Sequence, residues 1–272
     1  ALTSSQAEAA NYPFCTIEPN LGRVPVPDPR LDILADLASS ERRIPTSLEF
    51  IDIAGLVRGA SSGEGLGNQF LAQIREVDAL AHVVRCFEDE DVSHTQGAID
   101  PVSDVQIVQT ELMLADLESL GKQRVRLEKM KRGGDRDAAA LLQVVNKVSS
   151  CLEEGDMIGG LEWAVSERDL VRSLNLLSTK PVMYVSNVEE SAVRLGNAHS
   201  RALSDFAQKS GAESITVSAQ LDSEIAAMGD PKERREFLEA MGLSESGLTR
   251  IVRAGYKLLD LITFFTVGPK EA

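Results

Sequence analysis

With 272 residues and 43% apolar side chains, the chain is long enough for one large domain or about two of ordinary size. A formal charge of −14 excludes a general surface attraction to nucleic acid or to an anionic membrane, so any such contact must come from a local patch. The three cysteines, Cys15, Cys86 and Cys151, are odd in number and far apart, which implies neither a disulfide framework nor a zinc site and points to a reducing compartment.

The chain opens ALTSSQAEAANYPF, without methionine or a signal-peptide pattern, as though part-way through a helix, so a longer N-terminus is expected. NYPFCTIEPNLGRVPVPDP (11–29) then reads as a loop carrying five prolines. Thr16 within it could offer a hydroxyl to Mg²⁺, as switch segments do when a γ-phosphate orders them, or it is an ordinary turn threonine. SLEFIDI (47–53) is a short β-rich run and delivers Asp52 to the head of a glycine-rich loop. In nucleotide hydrolases an Asp-x-x-Gly such as Asp52 to Gly55 holds Mg²⁺ through water, while the glycine lets a backbone N–H approach the γ-phosphate. The pattern is weak alone, since by itself Asp52 reads more readily as a helix or turn cap. The glycines at 63, 65 and 67 do not match a dinucleotide fingerprint.

LGNQFLAQIREV (66–77) has a helical pattern, and DALAHVVRCF (78–87) reads as the second strand. About ninety residues separate it from the third, KPVMYVSN (180–187), far more than one crossover needs. Within them Val105, Val108, Leu112 and Ala115 step by three and four, as do Leu141, Val145, Val148 and Leu152, with Gly133-Gly134-Asp135 between. This predicts a helical hairpin inserted in an α/β domain. The turn follows KQRVRLEKMKR (122–132), where Lys122, Arg124, Arg126, Lys129, Lys131 and Arg132 face only Glu128. That run is either a solvated helix face or a contact for a phosphate backbone.

Asn187 closes the third strand and Glu190 follows three residues on, with Val188 between, a variant of the Asn-Lys-x-Asp signature that reads guanine. Guanine presents N1–H and a 2-amino group to a short carboxylate, and adenine presents neither. Lengthening Asp to Glu and replacing the lysine by valine therefore degrades guanine reading and favours adenine. SAVRLGNAHSRALSDFAQKSG (191–211) is helical in pattern, and SITVSA (214–219) reads as the fourth strand, ending at Ser218, Ala219 and Gln220. The backbone there could meet the base edge opposite Asn187. SGLTRIVRAGYKLLDLI (246–262) is amphipathic and is expected to pack on the sheet. LLDLITFF (258–265), interrupted by Asp260, is too short for the ~20 residues of a membrane span. Strands alternating with helices predict a mostly parallel sheet, with ligand residues at its carboxyl end. No Gly-x-x-x-x-Gly-Lys-[Ser/Thr] occurs, so the phosphates have no nest of backbone N–H groups.

NYPFCTIEPNLGRVPVPDPRLD, EFIDIAGLVRGASSGEGLGNQFL, HVVRCFEDEDVSH, the Asn187 to Glu190 element and GLTRIVRAGYKLLDLITFFTVGPKEA together resemble the Obg-like ATPase family, the YchF branch of the translation-factor-related P-loop NTPases. The resemblance covers nearly the whole chain. It implies a Ras-like parallel-sheet core at 1–100 and 176–262, an inserted helical coiled coil at 101–175, and a TGS domain entered at 263–272. It also implies that the family's opening strand, P-loop and helix, roughly twenty residues in all, are missing ahead of residue 1, and the chain without the P-loop is expected to be inactive. Carried over by position, Thr16 and Asp52 would attend Mg²⁺, Gly55 the γ-phosphate, Asn187, Val188 and Glu190 the base, and Ser218, Ala219 and Gln220 the last base-contact loop. Leu56 stands where Ras-like enzymes place a water-orienting glutamine, and no catalytic residue is assigned. The function implied is an ATP-hydrolysing switch in the cytoplasm or an organelle matrix, partnered by the ribosome or RNA. A GTPase of the Obg type, or a non-catalytic ribosome or RNA scaffold, is the alternative.

Overall fold

The computed structural model describes residues 20–53, 66–89 and 99–272. It divides into two compact units, one of residues 1–52, 79–102 and 181–272, the other of residues 53–78 and 103–180.

Among the described residues the first unit holds five strands in two sheets. β1 (Asn20–Pro25) pairs antiparallel with β2 (Ser47–Asp52), in register from Asn20 opposite Asp52 to Pro25 opposite Ser47. β3 (Leu80–Arg85), β4 (Val182–Asn187) and β5 (Glu213–Val217) form a parallel sheet in that order. Met183, Tyr184, Val185 and Ser186 of β4 are all buried, as a central parallel strand covered on both faces requires. The four strands expected from composition are present, each a residue or more shorter. β1 falls where a proline-rich loop was expected, because Pro25 ends the strand and its ring does not interrupt the ladder.

Asp28 begins α1 (Pro29–Ala38) by accepting from Arg30 N–H at 3.0 Å, and Pro29 takes the first helical position, where no N–H is needed. α6 (Ala198–Lys209) starts later than the helical pattern at 191–211 suggests. Gly196 stands at φ +68, and Asn197 caps the helix by accepting from Ser200 N–H at 2.9 Å. Ser218 caps α7 (Ala219–Ala227), and α8 (Pro231–Ala240) follows. α9 (Gly247–Leu258) packs as expected and carries the core of the unit: Ile251 and Ala254 pack with Met183, Val185, Ile215 and Val217, and Val252 with Val24, Val26 and Leu48. One helix thereby fastens the antiparallel pair and the parallel sheet.

The second unit contains α2 (Leu66–Glu76), α3 (Pro101–Arg132) and α4 (Arg136–Glu153), followed by α5 (Val165–Ser173) and a 3₁₀ turn at Leu177–Thr179. α3 and α4 form a hairpin. Gly134 takes φ +89 at the turn, which a residue with a Cβ adopts only under strain, and Asp135 caps α4 through Ala138 N–H. Leu120, Leu127, Leu142, Val145, Val148 and Leu152 interlock along the hairpin. Beyond Leu127 the end of α3 is wholly exposed, so Lys129, Lys131 and Arg132 stand in solvent. Lys122 pairs with Glu118 at 2.6 Å, and Arg124 and Arg126 are exposed. The hairpin is rooted at Asp116, whose buried carboxylate accepts from Leu177 N–H and Ser178 N–H at 2.8 Å and from the Ser178 hydroxyl at 2.7 Å. Burial pushes that carboxyl above the usual aspartate range, against the pull of its three donors.

Candidate nucleotide-binding site

The carboxyl ends of β4 and β5 meet where the sequence places base-reading residues. Asn187 is the last residue of β4, and its carbonyl accepts from Cys86 N–H at 2.8 Å, which locks the end of the strand to β3. Its side-chain Oδ1 accepts from Ala219 N–H at 2.9 Å. The amide thus ties the end of β4 to the first turn of α7, and its orientation is fixed before any ligand arrives. None of the described residues accepts from Nδ2, which leaves a donor for a ring nitrogen or exocyclic oxygen at the carboxyl end of β4.

Val188 is buried and gives its N–H to Val217 O at 2.8 Å. It positions Asn187 and offers no side chain to a ligand. Glu190, half-buried, opens a 3₁₀ turn (Glu190–Ala192) one step beyond. Ser218 is buried, and its hydroxyl accepts from Leu221 N–H at 3.5 Å as the helix cap, so it belongs to the start of α7 and not to the strand. Ala219 and Gln220 are exposed in the first turn of α7, although the N–H of Ala219 is engaged by Asn187.

Two contributors had not been singled out from the sequence. Asn197 Nδ2 donates to Cys86 O at 2.6 Å and to Glu189 Oε2 at 2.9 Å, which braces the loop between Asn187 and α6 against the end of β3. The signal was present in Asn197 and Ser200, three apart at a helix start, which read as a reciprocal cap. Asp222, one turn into α7, accepts from Gly247 N–H at 2.7 Å and Leu248 N–H at 3.4 Å at the start of α9. Burial raises its carboxyl above the ordinary value, and the two backbone donors pull it back.

Asp52 ends β2 with its side chain exposed. It belongs to the antiparallel pair, whereas Asn187 belongs to the parallel sheet. Among the described residues no group of three or more His, Cys, Asp or Glu side chains could hold a metal ion. A lone carboxylate at a strand end is nevertheless the donor that Mg²⁺ accepts, since that ion keeps several waters and takes its remaining ligands from phosphates. Thr16, Gly55 and Leu56 lie outside the described residues. Among the described residues no helix is long and apolar enough to cross a membrane.

The model of a 50S ribosome-binding GTPase family matches residues 1–147. A ribosome-binding ATPase YchF from Pasteurella multocida is 50% identical over 271 residues, all of this chain and 74% of that protein. The chain belongs to the Obg-like YchF family. Its Bacillus subtilis relative, also named ribosome-binding ATPase YchF, is 43% identical over the whole chain and 74% of its own length. A solved structure, of the Schizosaccharomyces pombe YchF GTPase, superposes with a TM-score of 0.81 at 34% identity, covering 96% of this chain and 71% of that one. The fold is therefore that of the P-loop GTPases, mixed α/β with a parallel sheet, and within the YchF family both ATPase and GTPase appear in the names. The family's nucleotide is where Asn187 and Glu190 bear on the question.

Proposed function

We propose that the chain forms the base-reading and switch-bearing part of an ATP-hydrolysing switch protein that works on the ribosome in the cytoplasm. The observation that carries this reading is the Asn187–Ala219 hydrogen bond, which holds a side-chain amide at the carboxyl end of the sheet through its Oδ1 and leaves its Nδ2 as a donor. The names of the YchF relatives support the nucleotide and the ribosome.

In this reading residues 1–100 and 176–262 make the nucleotide domain, 101–175 the helical insert, and 263–272 the entry to a TGS domain. Asn187 donates to the purine ring, Glu190 sits beside the base edge, and the first turn of α7, from Ser218 through Gln220, walls the base opposite. Asp52 and Thr16 would hold Mg²⁺, which when bound would neutralise charge on the phosphates. Gly55 would approach the γ-phosphate, and loss of that phosphate would release the segments that carry Thr16 and follow Asp52. Leu56 cannot orient water by hydrogen bonding, so turnover is slow without a partner and absent without a P-loop.

Asn187→Ala removes both the Nδ2 donor and the acceptor for Ala219 N–H. In the protein carrying its P-loop, ATP affinity is expected to fall about tenfold to a hundredfold, the equivalent of one or two hydrogen bonds. Equilibrium titration with a fluorescent ATP analogue measures this, and an unchanged Kd would refute the assignment of Asn187.

The exposed basic end of α3 is the proposed RNA contact. Replacing Arg124, Arg126, Lys129, Lys131 and Arg132 by glutamine is expected to weaken ribosome association in sedimentation and to flatten its dependence on salt. Lys122 is best left in place, because it already pairs with Glu118.

A further inference from the structure

A groove of about 680 Å³ lies in the first unit, between α6, α9 and β5. Its floor is Ser214, Ile215 and Thr216 of β5, and residues 193–196 close one end. Among the described residues β5 pairs only with β4, so its other edge faces the groove. Val217 O is turned toward β4, where Val188 N–H donates to it. By the alternation of a strand, the main-chain groups of Ser214 and Thr216 are turned the other way. Arg250 Nη2 reaches Thr216 O at 2.7 Å on that open side.

Arg194, Arg201, Arg250, Arg253 and Lys257 line the groove against Glu213 and Glu245, an excess of three positive charges in a chain of net charge −14. Both carboxylates are already paired, Glu213 with Lys257 at 3.4 Å and Glu245 with Arg253 at 2.9 Å. Arg194 and Arg201 are exposed and have no ion pair among the described residues, and Arg250 Nε is buried without a partner among them. Leu195, 75% exposed, stands at the rim.

We infer that this groove is a docking site for an acidic, extended segment of a partner protein, which adds as a strand to the open edge of β5. A peptide backbone supplies both a donor for Ser214 C=O and an acceptor for the N–H groups of Ser214 and Thr216, at strand spacing. A phosphodiester chain supplies no such donor, and the two carboxylates in the lining oppose it. Alternate carboxylates of the segment meet Arg194 and Arg201, and an apolar side chain between them covers Leu195.

The test uses a fluorescein-labelled ten-residue peptide in which glutamate alternates with threonine and valine, titrated into the 272-residue chain. Controls are the same peptide with lysine for glutamate, an equally acidic peptide with proline at alternate positions, and an oligouridylate of equal charge. Saturable binding of the acidic peptide is expected, with shifts of the Ser214 and Thr216 amide resonances and at least a tenfold loss on adding Arg194→Gln with Arg201→Gln. Both arginines are solvent-exposed, and circular dichroism verifies that the double variant is folded. The proline and lysine peptides are expected to bind at least tenfold more weakly. Absence of saturable binding, equal binding of the proline peptide, or tighter binding of the oligouridylate at the same amides would each overturn the proposal.

Discussion

Asp116→Ala is expected to lower the stability of the helical unit by about 3 kcal/mol, because it strands two backbone N–H groups in a buried place. The carboxylate is 1% exposed and is the acceptor for Leu177 N–H, Ser178 N–H and the Ser178 hydroxyl. Leu176 and Leu177, each about as buried as Asp116 itself, hold the segment against the hairpin's root, so no water can readily replace the lost acceptor. Urea denaturation followed by far-ultraviolet circular dichroism measures the change. A loss under 1 kcal/mol would show that the three bonds do not anchor the hairpin. The pH dependence carries a separate sign. Since burial raises this carboxyl in the folded state, folded protein keeps the proton at pH values where the unfolded chain has released it. The contribution is therefore greatest below about pH 4, where both states are protonated, and declines as pH rises through the folded value. Asp116→Asn should remove that decline.

Gly247→Ala is expected to cost about 3 kcal/mol or more and to weaken nucleotide binding with it, through overpacking and loss of a charged hydrogen bond. A Cβ at Gly247 would overlap Asp222 Oδ2 and stand 2.8 Å from Val217 Cγ1. Neither neighbour can yield freely, since Val217 is 4% exposed in the sheet core and Asp222 is held by the N–H groups of Gly247 and Leu248. Displacing Asp222 moves the first turn of α7, which also presents Ala219 N–H to Asn187. Thermal denaturation and a nucleotide titration on the same variant test the two halves. Wild-type stability would show that the junction of α7 and α9 is loose, and lost stability with unchanged affinity would separate it from the site.

The parts of the fold that the sequence disclosed are those in which one local period decides the matter. β4 is a continuous apolar run because both its faces are covered, and α9 shows one apolar stripe because it lies across the sheets. The hairpin turn was legible in Gly133 and Gly134, since only a glycine sits easily at φ +89. β1 and α1 were hidden by prolines that read as loop, although Asp28 followed by Pro29 is the start signal of a helix. The candidate site was proposed from the chemistry of Asn187 and Glu190, and Ala219 acquired meaning only through its N–H, which Asn187 accepts. Asp222 and Asn197 act across gaps of 25 and 111 residues, on Gly247 and Cys86, and no local pattern encodes such pairs. The basic groove escaped for the same reason, because its arginines come from α6, its preceding loop and α9.

Electrostatics separate the two basic surfaces from the rest of an acidic chain. The end of α3 has cations with little opposition and no strand edge, which suits a phosphate backbone. The groove on β5 combines cations with a main-chain edge, which suits a peptide.

The choice of base tests the account most directly. Competition of ATP and GTP for the P-loop-bearing protein, read against one fluorescent nucleotide, should show at least a tenfold preference for ATP, and Glu190→Asp should narrow it. Tighter binding of GTP by the unaltered protein would contradict the reading of Asn187 and Glu190 as an adenine site.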